Sequence, residues 1–79
     1  MTEQQIQNKR IAQLESQGYY VIKLTVTNKN GIPDLIAIPQ GSDVLFSEIK
    51  KPKGKLSELQ RFRIKQLNEH GIKTEIYRG

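Results

Sequence analysis

Apolar and polar residues follow two different periods along this chain, and each change of period marks a new element. From Thr2 to Gln17, Ile6, Ile11 and Leu14 recur at helical spacing and predict an amphipathic helix. Thr2 stands three residues before Gln5, the arrangement of a capping box, and Gly18 is placed to stop the helix. Tyr19 to Val26 is rich in β-branched and aromatic residues and predicts a strand. Asn28-Lys29-Asn30-Gly31 is a turn signal. A second strand is expected over Asp34 to Ile38, ended by Pro39-Gln40-Gly41-Ser42, and a third over Val44 to Lys50. The short turn between these two predicts an antiparallel hairpin.

Beyond a basic loop, Lys51 to Lys55, the helical period returns over Leu56 to Glu69. Ser57 is a good N-cap with Gln60 at the capping-box position, and Leu59, Phe62 and Leu67 are the expected buried face. Gly71 ends this helix, and Ile72 to Tyr77 is a last strand. The order α-β-β-β-α-β implies an α/β fold with a mixed central sheet flanked by helices. The crossover through the second helix should lay the last strand parallel to the third, with right-handed connectivity. Tyr19, Tyr20, Phe46, Phe62 and Tyr77 are expected in the core. Repeats, low-complexity tracts and linkers are absent, so residues 1–79 read as a single domain.

Composition sharpens this picture. A chain of 79 residues buries only about 60% of its unfolded surface. It has no cysteine for disulfides or thiolate zinc sites and one histidine, which excludes a histidine-rich metal cluster. Self-association is the expected remedy for so small a core. Thirteen Lys and Arg against eight Asp and Glu give a net charge of +5, which points to a polyanionic partner, nucleic acid foremost. Solubility alone is the plainer explanation of such a charge. No apolar stretch approaches a membrane span, and Met1-Thr2-Glu3-Gln4-Gln5 is too polar for a signal peptide. A cytoplasmic location is expected, with no membrane and no small-molecule substrate.

Two short signatures carry the candidate chemistry: Gly31-Ile32-Pro33-Asp34 and Glu48-Ile49-Lys50. Strand side chains alternate, so Glu48 and Lys50 project to one face, which starts apolar at Val44 and Phe46 and ends charged. Asp34 opens the neighbouring strand, where its carboxylate can meet Glu48. Two carboxylates on adjacent strands suit a hard cation such as Mg²⁺, and a nearby lysine can orient a water or offset charge on a phosphate. Taken singly, Pro33-Asp34 is a common turn composition, and Glu48-Ile49-Lys50 is an exposed strand face bearing an ion pair.

In combination, Gly31-Ile32-Pro33-Asp34, Glu48-Ile49-Lys50 and Leu56-Ser57 with Gln60 resemble the VRR-NUC family of the PD-(D/E)XK nuclease superfamily, across Glu3 to Tyr77. Many stand-alone members are small phage-type proteins, which would place this one in a host cytoplasm. The resemblance implies a restriction-endonuclease-like fold and Mg²⁺ or Mn²⁺ held by Asp34, Glu48 and the Ile49 carbonyl. It implies that Lys50 positions the attacking water and that Gln60 sits near the site. Glu3 is similar to a helix-borne acid of the related Holliday junction resolvases, and could orient water or help hold a second cation. Glu3 could equally serve the helix dipole, and Gln60 could serve only its cap.

The loop Lys50-Lys51-Pro52-Lys53-Gly54-Lys55 is the densest positive charge, and with Arg61 and Arg63 it could track a phosphate backbone. Lys23 and Lys29 are further candidates for contacts with nucleic acid, either of them at the scissile phosphate, with solvated lysine as the plainer alternative. No element reads as a base-recognition helix, and His70, at a helix end, has no catalytic reason. The expectation is a metal-dependent, structure-selective endodeoxyribonuclease acting on branched DNA such as Holliday junctions or flaps, as a homodimer. The rivals are a non-catalytic nucleic-acid-binding module and a partner subunit of a larger assembly, each with a nuclease-like fold.

Overall fold

The computed structural model describes residues 1–41 and 43–79, so the part of the expected turn at Ser42 lies outside the described residues. Helix α1 spans Glu3–Ser16 and starts in a complete capping box. The Gln5 backbone N–H donates to Thr2 Oγ1 at 3.1 Å, and the Thr2 N–H donates to Gln5 Oε1 at 2.8 Å. Strands β1 (Tyr20–Lys23), β2 (Leu35–Ile38) and β3 (Leu45–Lys50) follow, then helix α2 (Glu58–Glu69) and strand β4 (Lys73–Arg78).

The four strands form one sheet in the order β1-β2-β3-β4. The first three are antiparallel neighbours, and β4 runs parallel to β3, as the crossover through α2 requires. The element order and mixed sheet are those expected from the sequence. Among the described residues no helix is long and apolar enough to cross a membrane.

The core lies between α1 and the sheet. Ile6, Leu35 and Ile49 are fully buried there, with Ile11, Val21 and Tyr77 packed against them. Leu14 and Ala37 are also buried. Arg10 closes the edge. Its Nε and Nη2 donate to both oxygens of Glu75 at 2.9 and 2.7 Å, and its guanidinium lies 4.5 Å from the Tyr77 ring centre. Ser47 Oγ donates to the same carboxylate at 2.5 Å.

Three expectations need correction. The first strand ends at Lys23, not Val26. Its partner β2 begins at Leu35, and Leu24 makes one last bond to the Asp34 carbonyl, 2.8 Å. Beyond it no strand among the described residues pairs with the chain, and Val26 is 91% exposed. Second, α2 buries no residue. Leu59 and Phe62 are 41% and 51% exposed, while Ile64 and Leu67 are half-buried. Third, Tyr20 is 71% exposed and so, like Phe62, is not core. The cause is width. A helix is about 10 Å across and covers about two strands spaced at 4.8 Å. Helix α1 touches both β1 and β3 and so centres on its face, whereas α2 leans on β4 at the far edge.

Candidate active site

The register brings the two signatures together at one end of the sheet. Leu35 pairs with Ser47, so the next pair outward is Asp34 and Glu48. Asp34 is fixed there by the facing strand: Oδ2 accepts from the Ile49 N–H at 2.8 Å. Its approach is set by Pro33, which is buried, and by Gly31, whose φ of 79° lies in the left-handed region. A Cβ on Gly31 would stand 2.7 Å from Leu59 Cγ. Glycine therefore satisfies two demands, backbone conformation and close approach to α2.

Glu48 is a carboxyl at 1% exposure, flanked by a second carboxyl. Burial, with the Asp34 carboxylate close beside it, pushes it up to about 8, against a smaller opposing pull from Lys50. Glu3 adds a further small upward push. Alternation of the pleat puts Ile49 in the core under α1 while Glu48 and Lys50 face the α2 side.

Gln60 performs two tasks at once. Its Oε1 accepts from the Ser57 N–H at 2.9 Å, completing the α2 capping box, while its Nε2 donates to Glu48 Oε2 at 3.3 Å. Capping and a place at the site, alternatives in the sequence, are two ends of one amide. The other Glu48 oxygen, Oε1, is buried and has no partner among the described residues.

A cavity of about 250 Å³ opens beside Asp34, lined also by Glu3, Gln4, Gln7 and Lys23. Lys23 Nζ donates to Gln4 Oε1 at 3.4 Å. Glu3 and Lys23 thus share a cavity wall with Asp34, whereas Lys29 lines a separate cleft against α2. Sequence reasoning missed Gln4 and Gln7. The signal was weak: Gln7 is a polar residue that is 8% exposed beside the buried Ile6, in a helix whose stripe reads only as apolar.

Lys51, Lys53, Lys55 and Arg61 are exposed. The basic loop is not free: Arg78 Nη1 donates to the Lys51 carbonyl at 3.4 Å and to the Gly54 carbonyl. Arg63, expected along a surface track, turns back so that its Nε donates to the Asn30 carbonyl at 2.9 Å.

The donor set fits a hard divalent cation. An unpartnered buried carboxylate oxygen, a second carboxylate across the strand pair and a nearby ammonium are what such an ion and an attacked phosphate require. Among the described residues no three His, Cys, Asp or Glu side chains come together. An ion here would complete its shell with backbone oxygen and water, as Mg²⁺ commonly does.

A search of curated proteins finds no match to this chain. The family model of the VRR-NUC domain, by contrast, matches residues 6–79, nearly the whole length. Its nuclease function accords with the paired carboxylates, the lysine and the basic loop just described, and the chain belongs to the VRR-NUC family.

Proposed function

We propose that the protein is a Mg²⁺- or Mn²⁺-dependent endodeoxyribonuclease that selects branched DNA by structure and works as a homodimer. The observation that carries the metal reading is the Asp34–Glu48 pair, with Glu48 buried and its Oε1 unpartnered. Two adjacent carboxyls repel until a cation offsets their charge. Asp34 and Glu48 would hold the ion, with the Ile49 carbonyl as a further ligand. Bound there, it would supply Lewis-acid charge at the attacked phosphate.

The chain's own residues do the rest. Gln60 keeps the Glu48 carboxyl from turning, through its Nε2. Lys50 presents an ammonium on the same strand face as Glu48, where it orients the water and offsets charge as the phosphodiester opens. Glu3 lies across the cavity from Asp34 and holds water at its mouth. Lys51, Lys53 and Lys55, with Lys23 and Arg61, take phosphates along the strand without reading sequence.

The dimer is supported by exposed apolar residues on the α2 side: Tyr20, Ile22, Ile76, Leu59 and Phe62. A two-fold axis through that face would place two sites at a fixed spacing, and that spacing would select branched DNA.

Cleavage of four-way-junction, flap and linear DNA with Mg²⁺, Mn²⁺ or EDTA is the test. Cutting of branched DNA with either ion, lost in EDTA and in Asp34→Ala or Glu48→Ala, is expected. Lys50→Ala should retain Mn²⁺ in calorimetry and lose turnover. Sedimentation should give about twice the 9.1 kDa chain mass. Equal cutting of linear DNA would defeat structure selectivity.

A further inference from the structure

A second cleft, of about 350 Å³, lies between the 28–32 loop and helix α2. Ile32 and Leu67 form its apolar wall, and Lys29, Arg63, Gln66 and His70 its polar rim. Among the described residues no acidic side chain lines it. The ion pair found among the described residues is Arg10 with Glu75, so Lys29 and Arg63 face this cleft without a carboxylate to offset them.

Arg63 is held in place. Its Nε donates to the Asn30 carbonyl and its Nη1 to Gln66 Oε1, both at 2.9 Å, which leaves Nη2 unpartnered among the described residues. His70 Nδ1 is 2.7 Å from the Gln66 carbonyl, so Nδ1 donates and Nε2 faces away from that bond. The cleft therefore joins a fixed guanidinium and a second cation, Lys29, to an apolar wall. An anion alone would use the rim and leave Ile32 and Leu67 uncovered. The volume is that of a small-ligand site at the low end of the usual range.

We propose that this cleft is a nucleotide subsite, which takes one phosphate on Lys29 and Arg63 and the attached sugar and base against Ile32 and Leu67. The placement suits a strand that also reaches Glu48. Gln60 touches Glu48, and Arg63 lies one turn further along the same helix, about 4.5 Å of axial rise. The proposal rests on the nuclease reading for the source of the nucleotide, a unit of the substrate strand flanking the cut. The cleft's wall favours an unpaired nucleotide, whose base face is free to lie on it.

The test is amide-resonance NMR of the full chain in EDTA, titrated with thymidine 5′-monophosphate, inorganic phosphate or thymidine. The monophosphate should shift residues 29–32 and 63–70 saturably, with phosphate and thymidine each binding about tenfold more weakly. Lys29→Gln and Arg63→Gln should each weaken the monophosphate by a similar factor while the remaining resonances stay in place. Absence of saturable shifts, shifts centred on Asp34 and Glu48, or phosphate binding as tightly as the nucleotide would each overturn the assignment. The measurement needs no cation and no cleavage. A filled cleft on a protein that cuts no DNA would keep the subsite and reject the nuclease; cleavage with an unresponsive cleft would do the reverse.

Discussion

The two faces of the sheet are covered unequally. On the α1 side Ile6, Leu14, Leu35, Ala37 and Ile49 are buried, and the Arg10–Glu75 fork closes the edge. On the α2 side the helix has no buried residue of its own, and Tyr20, Ile22, Leu59, Phe62 and Ile76 remain at least 40% exposed. The strand pleat sorts the same segment between the two: Ile49 enters the core, while Glu48 and Lys50 face α2. One face holds the fold together. The other carries the carboxyl pair, the basic loop and the second cleft. Function can therefore be altered on the α2 side at little cost in folding, and the converse should fail.

The largest effect should come from the closed face. Leu35→Ala removes a fully buried side chain and should cost about 2–5 kcal/mol, comparable to the stability of a chain this small. Urea unfolding should show little native protein left. Next is Arg10→Ala, which strands the half-buried Glu75 carboxylate with Ser47 alone, at about 1–3 kcal/mol. Arg10→Lys should rescue poorly, because a point charge cannot bond both oxygens. Gly31→Ala should cost about 1–3 kcal/mol through the left-handed backbone and the Leu59 contact, and should weaken Mn²⁺ binding as Asp34 shifts. A thermal melt and a calorimetric titration read the two effects.

The pH response separates the faces further. Glu48 holds its proton to about 8 in the folded state and to the ordinary carboxyl range when unfolded. Between those values Glu48 binds more protons in the folded chain, so its contribution to stability is greatest at low pH and falls as pH rises toward 8. Melts of metal-free protein should show this decline, and Glu48→Gln should flatten it. The smallest effect is expected from Phe62→Ser, within about 0.5 kcal/mol for the isolated chain. Sedimentation of the same variant should show a weakened dimer. A Phe62→Ser cost equal to that of Leu35→Ala would erase the distinction between the faces.

Much of this arrangement is legible in the chain. The two capping boxes mark the helix starts, and Thr2 and Ser57 are the observed caps. The alternation ending at Lys50 puts Glu48 on one face, and the hairpin sets Asp34 opposite it. What escapes is whatever depends on a partner. The stripe of Leu59, Phe62 and Leu67 shows that these residues share a side, but not how little sheet that helix would meet. Leu24-Thr25-Val26 has strand composition and no strand beside it. Arg63 reads as a surface cation, yet it bonds the distant backbone carbonyl of Asn30, and Arg78, which carries no signal in the sequence, bonds that of Gly54.

The amide of Gln60 links a helix end to an acid. While Glu48 is protonated, the bond from Nε2 joins two neutral groups. Ionisation of Glu48 makes that bond charge-assisted and roughly doubles its strength. The same side chain closes the first turn of α2 through Ser57. Loss of a proton at the end of β3 therefore reaches the start of the helix as added rigidity. Amide hydrogen exchange over residues 57–61 should slow when the site is loaded, so that the first turn of α2 reports its charge state without any substrate present.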